Sequence, residues 1–499
     1  MVRTRNLELI LRATSVIFIV LAILLTGFSL AQYGRQRERY PLGMTIADVP
    51  VGGLTPQEAA ERLLRVYGTP LEIYYGDAVF QMQPEEVGFS LDLENMIAAA
   101  DQVRTGSSFW GGFWNFLWGQ SLAMVNIPLR ATVSEEGLQN YLVNEVSARY
   151  DEPPLPPQPI PGSTAFTPGK AGRMLDVDSA VLLIEKALRS PTQRRVELVA
   201  KRATPSRPQF AHLDILLQQN IQQVGFDGVI GVYLQDLQSG EEIHFAFDRL
   251  QPIPVTPVDV AFTAASTIKI PILVAFLVAN RKVPLDAATQ ARILDMVRLS
   301  ENPPADDLMS RMDSLRGPLV VTEYMRRLGL KNTFLAGYFA PGSPLLARIT
   351  TPANSRTDVF TDPDPYNQTT PSDMGMLLAD LYQCANAASG TLIAVFPEAV
   401  DKALCQKMID FLAEDRIGKL LEAGLPEGTL IAHKHGWVTD IDGVIRNYSD
   451  AGIIYTPGGN FVLSVYAYHP VQILDDTANT LFARLASAAY NYYNVPVQP

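Results

Sequence analysis

From about residue 209 onward, strand-forming runs flank a long helical middle, and this order constrains the fold more than any other feature. Runs at 228–236 and 242–247 alternate or are continuously apolar, and runs at 430–437, 451–455 and 460–468 do the same near the far end. Between them, about 265–420 reads as helix, and 475–490 reads as a closing helix. Strands from both ends of a segment with helices between them close into one antiparallel sheet with helices packed on it. The expected class is α+β, and Thr204-Pro-Ser-Arg-Pro208 marks the domain boundary before it.

At the start of that helical middle stands Ala264-Ala265-Ser266-Thr267-Ile268-Lys269. A lysine three residues after a serine on a helix lies one turn away on the same face. The apolar run 270–279 follows at once, so the pair sits at the mouth of a buried helix. Burial disfavours a charged amine, and a neutral lysine takes a proton from a serine hydroxyl. The plain alternative is a helix start with Ser266 as N-cap and Lys269 in water.

Two later motifs keep it company. Ser300-Glu301-Asn302 follows a helical segment, and Lys434-His435-Gly436 precedes Trp437 in a strand-like run. Taken singly, Ser300 reads as a helix cap and Lys434 as a surface cation. In the order Ser-x-x-Lys, Ser-x-Asn, Lys-x-Gly, the chain resembles the penicillin-recognising serine enzymes, class A β-lactamases most closely, over residues 215–490. The 231–240 stretch resembles that family's first hairpin, and Thr369-Thr370-Pro371-Ser372-Asp373 the opening of a late helix. Ser266 to Lys434 spans 168 residues, as in the family, whereas Ser266 to Ser300 spans only 34, fewer than usual.

The resemblance implies a fold and a chemistry. The fold is a β-lactamase/transpeptidase-like domain, an antiparallel sheet flanked by helices. In the implied chemistry Ser266 attacks a carbonyl, Lys269 takes its proton, and Ser300 passes a proton to the leaving nitrogen. Asn302, Lys434, His435 and Gly436 meet the substrate, and the backbone N–H groups of Ser266 and Trp437 form an oxyanion hole. The substrate class is a β-lactam or a D-Ala-D-Ala-type peptide. Two departures stand out. His435 replaces the family's hydroxyl residue, and no glutamate lies between Glu323 and Glu398, where class A enzymes keep the one that activates water. Asp358, Asp362 and Asp364 are the acids of that loop. His433 and His435 have no acidic or cysteine cluster beside them in sequence, so neither a metal nor another cofactor is expected.

A net charge of -12 argues against nucleic acid and against an anionic membrane surface as partners. Residues 13–31 carry no charge and are long enough to cross a bilayer. Arginines flank both ends, namely Arg3, Arg5 and Arg12 before and Arg35, Arg37 and Arg39 after. The expected location is a bacterial cell membrane, with one pass and the bulk of the chain outside. Secretion after cleavage behind Ser29-Leu30-Ala31 is the alternative. Cys384 and Cys405 pair or stay free, and sequence leaves both open.

The remaining organisation is a tip and anchor at 1–40, a first α+β module at 41–123, a related second module at 124–205, and the hydrolase domain at 206–499. The two modules rest on an echo: Gly88-Phe-Ser-Leu91-Asp92 and Gly172-Arg-Met-Leu175-Asp176 each lead into a helical pattern. With Val51-Gly-Gly-Leu-Thr55-Pro56, this region resembles the modules, regarded as peptidoglycan-binding, that precede L,D-transpeptidases in exported bacterial proteins. Peptidoglycan is therefore an expected partner of residues 41–205. Trp110, Trp114 and Trp118 make one stripe if helical, suited to a membrane face or a glycan platform, with core packing the plainer expectation. The proline-dense 152–162 is expected as a stiff connector within the second module.

Overall fold

The computed structural model describes residues 2–119 and 124–498. The expected module boundary at 123–124 adjoins residues 120–123, which lie outside the described set. The chain forms two compact units: Met1–Pro154 with Ala171–Thr204, and Leu155–Lys170 with Pro205–Pro499.

The first unit begins with α1 (Val2–Arg37), whose apolar side chains from Ile10 to Phe28 are exposed. It is long and apolar enough to cross a membrane. There follow β1 (Thr45–Ile46), α2 (Pro56–Tyr67), β2 (Leu71–Tyr75), β3 (Ala78–Met82), α3 (Leu93–Thr105), α4 (Phe109–Leu117), β4 (Asn126–Ile127), α5 (Val177–Leu188) and β5 (Arg195–Glu197). Thr55 and Glu58 close a reciprocal capping box on α2. The echo has a physical meaning: Asp92 caps α3 by accepting from the Asn95 N–H, and Asp176 caps α5 by accepting from the Ser179 N–H. The strands form several small sheets, some of which pair strands from both expected modules. β1 pairs in parallel with β4, and β2 pairs with both β3 and β5. Strands this short bury little alone, and both halves share one apolar core that includes Ile46, Leu63, Ile73, Leu138 and Ile184.

The second unit holds α6 (Phe210–Val224), β6 (Val229–Asp236), β7 (Glu242–Asp248), β8 (Gln251–Ile253), α7 (Lys269–Ala279), α8 (Ala287–Arg298), α9 (Asn302–Met312), α10 (Pro371–Ala387), α11 (Lys402–Leu412), β9 (Leu430–Thr439), β10 (Ile445–Tyr455), β11 (Phe461–Tyr468) and α12 (Asp475–Tyr493). Its sheet runs β8-β7-β6-β11-β10-β9, antiparallel throughout. The early strand β6 lies beside the late strand β11, from Val229 opposite Tyr468 to Asp236 opposite Phe461, so the two ends of the unit meet at the sheet centre as the strand pattern predicts. Alternate residues serve alternate layers. Phe461, Leu463, Val465 and Ala467 face α6 and α12, while Val462, Tyr466 and Tyr468 join the core around α7 and α10. α7 is apolar all round and buried from Lys269 to Val278, as such a helix must be.

Two details depart from expectation or resolve what sequence left open. The proline-dense connector does not stay with the first unit beyond Pro154. Its continuation packs on α6 and α12: Phe166 is buried against Tyr492, and Asn220 and Asn491 donate to the carbonyls of Ser163 and Thr164. Cys384 on α10 and Cys405 on α11 form a disulfide, with their Cα atoms 5.9 Å apart.

Candidate active site

Ser266 lies in a 3-10 turn, Ala265–Ile268, that runs directly into α7. Neither element takes a side-chain cap there, so the Ser266 hydroxyl is not spent on the helix start. The neighbouring Thr267 turns inward, donating to the Ala264 carbonyl and meeting the Tyr466 hydroxyl at 2.8 Å. Ala265 holds a left-handed φ of 50°. A non-glycine residue keeps such a backbone only where its surroundings fix it, at a cost of ~1–3 kcal/mol. Ser266 thereby stays partly exposed while its neighbours are buried.

Lys269, one turn on, is fully buried. Its Nζ donates to Ser266 Oγ at 3.0 Å, to the Ser300 carbonyl at 2.6 Å and to Asn302 Oδ1 at 3.0 Å, with Ser300 Oγ at 3.4 Å. Burial, reinforced by the charge of Lys434, pushes the amine down to about 7, against the opposing pull of Asp415, Asp306 and Glu301. Near neutral pH a large share of the amine is therefore unprotonated.

Ser300 also adopts a left-handed φ, 57°, immediately before α9. Glu301, not Ser300, is the helix N-cap, and no side chain caps it. The 34-residue gap from Ser266 still closes, because α7 and α8 are short and a turn returns the chain to Lys269.

Lys434, His435, Gly436 and Trp437 lie on β9, the edge strand beside the Ser266 turn. Gly436 makes that approach possible: a Cβ there would lie 2.6 Å from the Ser266 backbone nitrogen. The Ser266 turn and β9 are thus in direct contact through backbone. The Lys434 Nζ is fully buried and pairs with Asp415 Oδ2 at 3.1 Å. His435 meets the same oxygen twice, through Nδ1 at 2.7 Å and its backbone N–H at 3.1 Å. Trp437 stacks on the His435 ring at 5.0 Å. Where the family has a hydroxyl, this chain has an imidazole tied by Nδ1 to a carboxylate.

Asp415 escapes a reading of the sequence, since it lies 19 residues before Lys434 with no motif around it. Burial would raise its carboxyl, but the His435 hydrogen bond and the charges of Lys434 and His433 outweigh it and hold it at about 2. His433 is buried between two acceptors, Asp450 Oδ1 at 2.8 Å and the Asp415 carbonyl at 2.8 Å. Both ring nitrogens must therefore donate. Burial opposes that charge, but Asp450 prevails and raises the ring to about 9.

Two of the loop acids are engaged within their own loop. Asp358 pairs with Arg356, and Asp364 accepts from the Tyr366 N–H and the Asn367 side chain. Among the described residues, none of Asp358, Asp362 and Asp364 hydrogen-bonds to Ser266, Lys269, Ser300 or Asn302. Phe339 lies beside the site, its ring centre 5.6 Å from Lys269 Nζ. Asp306 on α9 holds that loop, accepting from the N–H groups of Phe339 and Ala340 at 2.8 Å each.

Solved structures similar to the chain include PBP-A, at 19% identity over 58% of this chain and 98% of that one, with a TM-score of 0.41. An ancestral class A β-lactamase is 23% identical over 56% and 98%, with a TM-score of 0.40. A β-lactamase from Desulfarculus baarsii is 18% identical over 57% and 98%, also with a TM-score of 0.40. No curated protein matches the chain. Residues 293–493, which carry Ser300, Asn302, Asp415, Lys434 and the last three strands but not Ser266, match the beta-lactamase enzyme family.

Proposed function

We propose that the chain is a membrane-anchored, extracytoplasmic serine hydrolase that opens β-lactam rings through an acyl-enzyme at Ser266. The observation that carries this reading is the 3.0 Å contact between a buried Lys269 amine and the Ser266 hydroxyl. Neutral Lys269 takes the Ser266 proton as Oγ bonds to the ring carbonyl carbon. Negative charge on the carbonyl oxygen is met by the N–H groups of Ser266 and Trp437, where one such donor is typically worth ~10²–10³ in rate. The C–N bond then breaks, and its nitrogen takes a proton from Ser300, which Lys269 resupplies. Asn302 holds the substrate's amide side chain, and Lys434 and His435 meet its carboxylate. Water finally splits the ester and regenerates Ser266. The reaction needs no cofactor.

A second reading is favoured by Phe339. An aromatic ring stands beside Lys269, and an acyl-enzyme with no carboxylate to activate water would persist. Slow release suits a D,D-carboxypeptidase or transpeptidase acting on peptidoglycan stem peptides, or a penicillin-binding envelope protein. Residues 41–205 would hold such an enzyme to the wall, and α1 would hold it to the membrane. The disulfide fits an oxidising compartment. Turnover of a chromogenic cephalosporin separates the readings. Sustained hydrolysis supports a lactamase, and one stoichiometric burst followed by stalling supports the second.

A further inference from the structure

The aromatic helix α4 has two faces, and neither belongs to the core of its unit. One face grips α1: Phe109, Phe113 and Phe116 surround Tyr33, with ring centres 5.4, 5.6 and 5.5 Å away. Gly112 permits the grip, because a Cβ there would collide with the Tyr33 hydroxyl. Arg37 locks the same junction, donating to the Ser107 carbonyl at 3.1 Å while Arg104 donates to the Arg37 carbonyl at 2.6 Å. The other face carries Trp110, Trp114 and Trp118, which are 69%, 61% and 67% exposed. The core packing expected for this stripe does not occur, because the phenylalanines, not the indoles, take the inward side.

The position of this face is informative. Tyr33 stands two residues past the uncharged span 13–31, about 3 Å further along the helix axis. Wherever the apolar span ends, α4 lies at that level. No charged residue occurs between Arg104 and Arg130, so nothing in this stretch resists an apolar surrounding. Indoles favour the boundary between hydrocarbon and water, where the ring is buried and the N–H stays hydrated.

We propose that α4 lies in the headgroup layer of the bilayer crossed by α1, with its three indoles turned to lipid, so that the first unit is seated on the membrane as well as tethered to it. This rests on the reading of α1 as a membrane span. The test uses the full chain in phosphatidylethanolamine/phosphatidylglycerol vesicles, with lipids brominated either near the headgroup or deep in the tails. Subtracting the signal of a Trp110→Phe/Trp114→Phe/Trp118→Phe variant isolates the three indoles. The expected result is strong quenching by shallow bromines, weaker quenching by deep ones, and retention of the protein through an alkaline wash. Gly112→Val, which drives α4 off Tyr33, should reduce that quenching while the protein remains in the membrane. Retained protein whose indoles ignore lipid bromines but respond to acrylamide or to soluble muropeptides overturns the proposal alone. Protein washed free of the vesicles overturns it together with the membrane-span reading.

Discussion

Gly436 and the backbone nitrogen of Ser266 are in such close approach that a single added carbon at position 436 would sit 2.6 Å from that nitrogen, with Ser449 Oγ 2.9 Å away on another side. The edge strand and the nucleophile turn are thus fixed against each other through backbone, which cannot swing aside as a side chain can. Gly436→Ala must push the two apart. Displacements of about 1 Å near a reacting centre cost around 10²-fold in rate, and overpacking a tight site costs ~1–3 kcal/mol. Acylation by a fluorescent penicillin should slow by about that factor, with a lowered urea midpoint. An unchanged acylation rate would show that the strand edge takes no part in holding the carbonyl.

The rate of acylation should follow the protonation of Lys269. The amine is pushed down to about 7 and must be neutral to accept the Ser266 proton. Acylation should therefore rise with pH through about 7 and level off above it. Lys269→Arg, whose side chain stays charged throughout, should lose ~10²–10⁴ in rate and show no such rise. A wild-type profile flat across neutrality would remove Lys269 from the role of base.

Phe339 offers a gain-of-function test. Placing a carboxylate there, as Phe339→Glu, sets an acid beside Lys269 in a loop already held by Asp306. Release of the acyl-enzyme should accelerate by about 10²-fold if the carboxylate activates water, while acylation at neutral pH slows, because the added negative charge raises the Lys269 amine. Burst and steady-state phases of cephalosporin hydrolysis read the two steps separately. Equal release in both proteins would mean that the Phe339 position does not limit it.

Asp415 neutralises a buried group of cations, so Asp415→Asn strands Lys434 without its partner. Removing one member of a buried pair typically costs ~3–5 kcal/mol. The Asp415 carboxyl is held at about 2 against an ordinary 3.8. Its contribution is therefore complete above 3.8 and is lost as pH falls through about 2. In the variant, thermal stability at neutral pH should drop, and the acid limb of the stability curve should become shallower over that interval. Matching acid limbs would show that the charge of Asp415 is not what the fold uses.

Much of this was legible in the chain because the relevant partners are local or periodic. Ser266 and Lys269 meet through helical spacing alone, and Ser300 with Asn302 and Lys434 with Gly436 are each compact motifs. The building of the sheet from both ends of the segment follows from where the strand-forming runs lie, and the last of them, Phe461 to Tyr468, is buried along its whole length. What escaped depends on long-range packing. Asp415 and Asp450 take their meaning from Lys434 and His433, and Phe339 from a loop fold that no spacing encodes. The tryptophan stripe was visible, but which face of α4 turned inward was decided by Tyr33, far back in the chain. The connector after Pro154 likewise found its partners on α12, more than 300 residues later.

The most direct test of the central claim is mass spectrometry of the intact protein after exposure to benzylpenicillin, followed by peptide mapping. The account predicts one penicilloyl adduct per chain, on Ser266, absent in Ser266→Ala and strongly delayed in Lys269→Arg. A folded wild-type protein that acquires no adduct and turns over no cephalosporin, or an adduct mapped to any other residue, would contradict it.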